Sequence, residues 1–177
     1  MNFSLEGALL RRPEPKDVDA LYAQKNDPEV ANALGGFSMG YARADISEWV
    51  ERHRRMGGEL IWVIAATSDD TCLGHVGLYN IDHRIRKAEF AIMLGAKERQ
   101  GQGLGKRVTR FVLDYAFDNL NLNRVELSLL ASNARAKRLY DSLGFVQEGV
   151  QRQAQFKNGE YLDVILMSLL RDEWTQH

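Results

Sequence analysis

Residues 99–106, with the sequence RQGQGLGK, combine three glycines with two glutamines between a predicted strand and a predicted helix. Glycines let the backbone approach a ligand closely and allow successive N–H groups to point into one concave surface. The start of the following helix adds a partial positive charge at the same place. These properties together predict a cradle for a pyrophosphate group. A tight turn that only joins the strand to the helix is the alternative interpretation.

The spacing within this segment excludes two well-known phosphate-binding loops. A P-loop, GxxxxGK[ST], would need a glycine at Gln100 and a serine or threonine after Lys106, which is followed by arginine. The dinucleotide-binding pattern GxGxxG, counted from Gly101, would need a glycine at Lys106. The pattern that the residues do satisfy is Q-x-x-G-x-G, formed by Gln100, Gly103 and Gly105.

A second informative segment, residues 131–145, follows directly after a predicted strand. Its sequence is ASNARAKRLYDSLGF, in which Asn133 or the serine before it can cap a helix. Tyr140 comes seven residues after Asn133 and therefore lies on nearly the same helix face. The phenol is a candidate proton donor, but it is also placed to fill an apolar stripe with Ala136 and Leu143. The spacing alone leaves both interpretations open.

The elements that position these segments follow from hydrophobic periodicity. Alternation predicts strands at 8–12, 60–66, 72–81, 87–94, 124–130, 145–155 and 161–170, and helical spacing predicts helices at 15–26, 43–56, 103–119 and 133–143. Asn158-Gly159 between the last two strands is a strong hairpin signal. The middle of the chain is α/β and both ends are antiparallel. We therefore expect an α+β fold in one domain, residues 1–177, with a mixed, mostly antiparallel central sheet flanked by helices.

The composition of the chain excludes several classes of function. The chain has 177 residues and a formal net charge of −1, so no strong overall field would attract nucleic acid or an anionic membrane. Cys72 is the single cysteine, which excludes an internal disulfide and a cysteine metal cage, and no HExxH pair indicates a metal site. Neither a secretory signal nor an apolar run long enough for a bilayer is present. We expect a cytoplasmic protein without a metal.

With both segments in this order, the sequence resembles the GNAT acetyltransferases over most of its length, from about Ala8 to Leu170. The resemblance rests on the Q-x-x-G-x-G loop at 100–105 and on N-A-x-A-x-x-L-Y-x-x-L-G-F at 133–145. Ala-Glu-Phe at 88–90 and Asn-Gly-Glu-Tyr at 158–161 are similar to one branch. That branch contains ribosomal-protein alanine, spermidine and nucleotide-amino-sugar acetyltransferases.

The resemblance implies direct attack of an amine on the thioester of acetyl-CoA in a ternary complex. Less than about 0.1% of an alkyl amine is unprotonated at pH 7, so a base is needed. Glu89, in the strand before the loop, is the candidate base. A solvated side chain paired with nearby basic residues is the equal alternative for Glu89, and Glu126 on the next strand is a weaker candidate. Tyr140 matches the family's tyrosine, which implies that it protonates the leaving thiolate.

The same resemblance implies which residues hold the cofactor. Asn133 corresponds to the position that contacts the pantetheine arm, and the strand end would offer backbone groups to that arm. The remaining positions surround the phosphates. They include two helix charges, Lys137 and Arg138, for each of which alone solvation is the preferred explanation. The complete set implied for acetyl-CoA is Met93, Leu94, Gln100, Gly101, Gln102, Gly103, Leu104, Gly105, Lys106, Asn133, Lys137 and Arg138.

The sequence gives less information about the acceptor amine than about the cofactor. Residues 31–44, which would shape its pocket, contain no acidic residue and one arginine, whereas a polyamine should be held by carboxylates. Apolar residues that would line a partly apolar pocket are also present, although core packing explains each of them as well: Phe37, Met39, Tyr41, Trp49 and Trp62. A protein N-terminus, an amino sugar and a polyamine all remain open as acceptors, as does the oligomeric state. A module of the same fold that binds CoA without catalysis is the alternative function.

Overall fold

One sheet organises this protein, whose computed structural model describes residues 2–35, 39–55, 57–95 and 103–174. The strands in this part of the chain are β1 (Phe3–Leu5), β2 (Ala8–Arg11), β3 (Leu60–Ala65), β4 (Cys72–Asp82), β5 (Lys87–Leu94), β6 (Arg124–Leu130), β7 (Val146–Lys157) and β8 (Glu160–Leu170). Their order in the sheet is β1-β2-β3-β4-β5-β6-β8-β7. All predicted strands are present, and the three-residue β1 is an addition.

Helices cover both faces of the sheet. The α-helices among the described residues are α1 (Val18–Lys25), α2 (Pro28–Ala33), α3 (Arg43–Arg54), α4 (Leu104–Asp114), α5 (Ala134–Asp141) and α6 (Arg171–Trp174). A 3-10 turn at Pro15–Asp17 leads into α1. One π-helical turn, Tyr115–Asn119, extends α4, so the predicted helix at 103–119 has the right length but a wider last turn.

The sheet is mixed and mostly antiparallel, which confirms the predicted fold class. β5 and β6 are the parallel pair, and α4 makes the crossover between them. Antiparallel pairing joins every other set of neighbours in this sheet. The parallel pair lies at the centre, where the two sequence segments with candidate chemistry meet.

Two apolar clusters hold the helices on the sheet. Val108 on α4 and Val125 on β6 belong to the larger cluster, which also buries Trp62. Leu21 on α1 and Met93 on β5 belong to the smaller cluster on the other face. Because alternate residues of a strand face opposite sides, β5 contributes to both clusters. This strand is therefore fixed from both faces of the sheet.

The hairpin between β7 and β8 forms at the predicted Asn-Gly pair. Asn158 and Gly159 have φ angles of 52° and 84°, the left-handed values that a tight hairpin turn requires at both positions. Lys157, at the end of β7, donates hydrogen bonds of 2.5 Å to the carbonyl oxygens of Ala31 and Leu34. The hairpin therefore holds the C-terminal end of α2.

Candidate active site

The two central strands pair only at their beginnings. Over the full lengths of β5 and β6, the register contains three pairs, the last of which is Glu89 with Glu126. Beyond this point the strands diverge, and the edge of β5 from Phe90 onward has no strand partner on that side among the described residues. A cavity of about 1120 Å³ opens at the divergence. A strand edge without a partner can accept an extended chain by adding hydrogen bonds of the kind found in a sheet.

Most of the described residues predicted to bind acetyl-CoA line this one cavity. Its wall includes the unpaired part of β5, the end of β6, the start of α4 and one face of α5. The predicted positions in the wall are Met93, Leu94, Gly103, Leu104, Gly105, Lys106, Asn133 and Tyr140. Gln100, Gly101 and Gln102 lie outside the described residues. The fold thus brings together two segments that are about thirty residues apart in the sequence.

The first turn of α4 presents backbone amides at the cavity. Gly103 is the N-cap residue, with φ of +75° and ψ of 2°, a left-handed conformation that glycine adopts without a steric penalty. The amides at the start of a helix have no partner within the helix, so Leu104, Gly105 and Lys106 offer free donors near a positive helix end. An added Cβ at Gly105 would contact the side chain of Leu94 at 3.5 Å. The site therefore has the donors and the charge that a diphosphate requires.

The ring of Tyr140 is buried and packs against two other aromatic rings. It is 7% exposed, and its ring makes edge-on contacts with Phe90 and Phe145 at centroid distances of 6.2 and 5.5 Å. The interpretation of Tyr140 as a core residue is confirmed, and because the residue also lines the cavity, its role as a proton donor stays a prediction. Burial raises the pKa of Tyr140 to about 12. Its phenol stays protonated at neutral pH.

Asn133 connects the two halves of the cavity. Its Oδ1 accepts a hydrogen bond of 3.0 Å from the amide of Ala136, which caps α5. Its Nδ2 donates at 3.0 Å to the carbonyl oxygen of Ala33 at the end of α2. The side chain thus fixes the start of α5 and also holds the helix that lies on the acceptor side.

The basic residues of α5 divide between the cavity and solvent. Lys137 forms an ion pair with Asp141 at 2.5 Å, and Arg138 is exposed. Neither residue is part of the cavity wall. Arg135, which the sequence analysis did not select, does line the cavity. Its position four residues before Leu139, another residue of the wall, is a helical spacing that could have indicated it.

The two candidate bases have different surroundings. Glu89 is exposed and stands two residues before Ala91, which faces the same side of β5 and lines the cavity. Glu126 accepts hydrogen bonds from Lys87 at 2.7 Å and from Arg124 at 2.8 Å. Burial opposes the ionisation of Glu126, but these hydrogen bonds and charges outweigh it and lower its pKa. Glu126 is thus already engaged as a structural carboxylate.

The opposite wall contains two polar residues that sequence reasoning did not assign to the site, next to aromatic residues that it did. Lys25 at the end of α1 and His75 on β4 both line the cavity, together with Tyr41. Trp49 packs on the smaller apolar cluster next to His75. Trp62, which was considered for the pocket, is instead a core residue on the other face of the sheet.

The whole arrangement is that of an acyl-CoA transferase. The family model for the GNAT acetyltransferase domain matches residues 8–146. This chain is a GNAT acetyltransferase. It transfers an acetyl group from acetyl-CoA to an amine, and the resemblance drawn from the two sequence segments is confirmed.

Curated and solved relatives support this assignment over nearly the whole chain. YdaF of Bacillus subtilis, an N-acetyltransferase by name, is 31% identical over 177 residues, covering 96% of this chain and 94% of its own. Spermidine N(1)-acetyltransferase of Escherichia coli K12 is 32% identical over 172 residues, covering 97% and 90%. The crystal structure of spermidine N-acetyltransferase from Vibrio cholerae with CoA and spermine superposes with a TM-score of 0.86 at 28% identity, covering 97% of this chain and 99% of that one.

Two further properties concern metals and membranes. Within residues 2–35, 39–55, 57–95 and 103–174, no three His, Cys, Asp or Glu side chains are grouped so that they could hold a metal ion. None of the helices in these ranges is long and apolar enough to cross a bilayer.

Proposed function

We propose that this GNAT enzyme acetylates a primary amine in the cavity between β5 and β6, with Tyr140 as the proton donor to the leaving thiolate. The observation that carries the proposal is the placement of Tyr140 in the same wall as the first turn of α4 and the unpaired edge of β5. One extended molecule can contact all three. Acetyl-CoA has the matching shape, with a diphosphate at one end, a pantetheine arm and a thioester.

The cofactor positions follow from this placement. The free amides at Leu104, Gly105 and Lys106 would bind the diphosphate, since a helix N-terminus favours anions. The backbone of Met93 and Leu94 would hydrogen-bond to the pantetheine arm in the manner of an added strand. The side chain of Arg135 would contact an outer phosphate. Lys137 and Arg138 keep a minor role at most, because neither lines the cavity.

The reaction needs one proton removed and one supplied. The amine nitrogen attacks the carbonyl carbon of the thioester, a C–N bond forms and the C–S bond breaks. Tyr140 donates its phenolic hydrogen to the departing sulfur and recovers a proton from the positively charged nitrogen of the tetrahedral intermediate. The base takes the other proton, which the substrate ammonium group loses before the attack. Because an alkyl thiol such as that of cysteine has a pKa near 8.5, a thiolate is a moderate leaving group, and a hydrogen bond from Tyr140 favours its release.

Glu89 remains the candidate base, acting through water. Its carboxylate is exposed and free of a short ion pair among the described residues, whereas Glu126 is held by two cations. Residues two positions apart on a strand are separated by about 7 Å, so one water molecule spans the gap from Glu89 to the cavity at Ala91.

Amine-dependent release of CoA tests this function. Purified protein is incubated with acetyl-CoA and a panel of peptide N-termini, amino sugars, polyamines and amino acids, and free thiol is measured. We expect saturable release with at least one amine, and an acetylated product by mass spectrometry. Saturable CoA binding in calorimetry without thiol release from any amine would instead support a non-catalytic CoA-binding module.

A further inference from the structure

The acceptor side of the cavity contains two polar side chains that form neither an ion pair nor a hydrogen bond within the described structure. Lys25 and His75 come from different elements, and both lie against the ring of Trp49. Both also line the cavity that holds Tyr140. Polar groups in such surroundings are costly unless a ligand or water completes their hydrogen bonds.

Lys25 is a cation enclosed by aromatic faces. Its Nζ lies 5.2 Å from the ring centroid of Tyr41 and 5.1 Å from that of Trp49, which are distances of cation–π contact. Within the described part of the chain, no carboxylate forms an ion pair with it. Burial lowers the pKa of Lys25. The ammonium group is thus positioned by the two rings and lacks a counter-ion among the residues that the structure describes.

His75 lies beside this lysine on the floor of the cavity. It is 7% exposed, its Nδ1 has no hydrogen-bond partner in the described structure, and its ring centroid is 4.9 Å from that of Trp49. Burial, followed by the charge of Lys25, lowers the pKa of His75 to about 3. The imidazole is therefore neutral at pH 7, so it is a hydrogen-bonding group and not a base. Its backbone pairs with Met93, which places it across from the proposed pantetheine site.

The charges of the cavity wall favour an anion over a second cation. Among the described residues of the wall, the cations are Lys25, Lys106 and Arg135, and the one carboxylate is that of the exposed Glu29. The phosphates of CoA would account for Lys106 and Arg135. Lys25 stands on the other side, where the acceptor enters. A polyamine at this place would put its second cation against a desolvated ammonium group, which Coulomb repulsion opposes.

We infer that the acceptor is an amine that also carries an anionic group, a carboxylate or a phosphate, and that Lys25 binds this group. The Nδ1 of His75 is buried in this structure, so a second hydrogen bond from His75 to the same anion requires its ring to turn toward the cavity. The inference rests on the proposed acetyl transfer and specifies its substrate class. Trp49 and Tyr41 hold the lysine in place, so they are positioning residues in this scheme.

Matched amines test the charge requirement directly. Amino acids are compared with their amides and with the decarboxylated amines, for example leucine with leucinamide and 3-methylbutylamine. O-Phosphoethanolamine is compared with ethanolamine, and spermidine represents the polyamines. Thiol release gives kcat/KM for each amine. We expect the charged member of the carboxylate or phosphate series to exceed its uncharged partners by about 10- to 100-fold, the range for a hydrogen bond to a charged group.

Variants assign the effect to the lysine. Lys25→Gln should remove the preference while leaving the KM for acetyl-CoA unchanged, and Lys25→Glu should reverse it in favour of spermidine. Lys16→Gln is the matched control, because Lys16 is exposed and is not part of the wall. His75→Asn keeps a polar group near the Nδ1 position, whereas His75→Leu does not, so only the leucine variant should weaken the preference. If His75→Leu does not fold, the Lys25 variants decide the question.

The possible failures are distinguishable. The inference would be overturned if the wild-type enzyme acetylated spermidine or leucinamide with the same kcat/KM as the carboxylated amine, and if Lys25→Gln changed none of these values. Acetyl transfer itself would still stand. A protein that binds CoA but releases thiol with none of these amines, and with none of the peptides or sugars, would overturn the proposed function itself.

Discussion

Removal of the Tyr140 hydroxyl is the sharpest perturbation of the proposed chemistry. Tyr140→Phe keeps the ring and therefore its edge-on contacts with Phe90 and Phe145. The free energy of unfolding should change by no more than about 1 kcal/mol, the usual net value of one hydrogen bond. The affinity for acetyl-CoA should also be preserved, because the amides of α4 and the edge of β5 are untouched.

The expected loss of rate follows from the surroundings of the phenol. General acids contribute about 100- to 10,000-fold to a rate, and most when their pKa is close to the working pH. The pKa of Tyr140, raised by burial to about 12, lies well above that of a free thiol. Complete proton transfer to the thiolate is therefore unfavourable until the positively charged nitrogen of the tetrahedral intermediate supplies a proton. We expect kcat to fall by about 10- to 1000-fold, or roughly 1.4 to 4 kcal/mol in barrier height.

The same raised pKa predicts the pH profile. Tyr140 acts in its protonated form, and a pKa above the ordinary value keeps that form present to higher pH. The wild-type rate should thus show no alkaline loss due to Tyr140 below about pH 11. Stopped-time thiol assays from pH 6 to 10.5 and acetyl-CoA calorimetry measure both effects. Unchanged kcat in Tyr140→Phe, or weaker cofactor binding with an unchanged kcat, would remove Tyr140 from the mechanism.

Three other variants probe the base, the phosphate cradle and the connection between the cavity halves. Glu89→Gln should reduce kcat/KM about tenfold at pH 7 and move the acidic limb of the pH profile upward; an identical profile would mean that water alone takes the proton. Gly103→Ala should cost about 1 kcal/mol of stability in thermal melts, because alanine is strained at φ of +75°, and should raise the KM for acetyl-CoA; unchanged values would contradict the left-handed cap. Asn133→Ala should lower the free energy of unfolding by about 1 kcal/mol, because the α5 cap is lost. It should also raise the KM for the amine, because the hydrogen bond to the carbonyl of Ala33 is lost. Asn133→Asp retains the cap and should retain most of the stability.

The fold was predictable because its signals are local. Asn158-Gly159 fixes a hairpin whose two left-handed φ angles were implied by the residue types alone. The alternation in β5, read from the sequence, puts Phe90 and Met93 on opposite faces, and in the structure they belong to different apolar clusters. β1 was missed because three residues are too few to display alternation. The π-helical turn was missed because its residues have the same spacing as an ordinary helix end.

The sequence signals for the cofactor half of the site are also local, whereas the acceptor half is built from residues far apart in the sequence. Tyr140 and Asn133 lie in one helix that starts directly after a strand, so their pattern carries their geometry. Lys25 and His75 are fifty residues apart and meet only because Trp49, on a third element, packs between the sheet and α1. No spacing in the sequence predicts that meeting.

The position of CoA in a crystal structure of the complex tests the central claim most directly. We predict that the diphosphate lies on the first turn of α4, at Gly103 to Lys106, and that the sulfur lies between the diverging ends of β5 and β6 within hydrogen-bonding distance of the Tyr140 hydroxyl. A diphosphate bound away from α4, or a sulfur remote from Tyr140, would contradict the account.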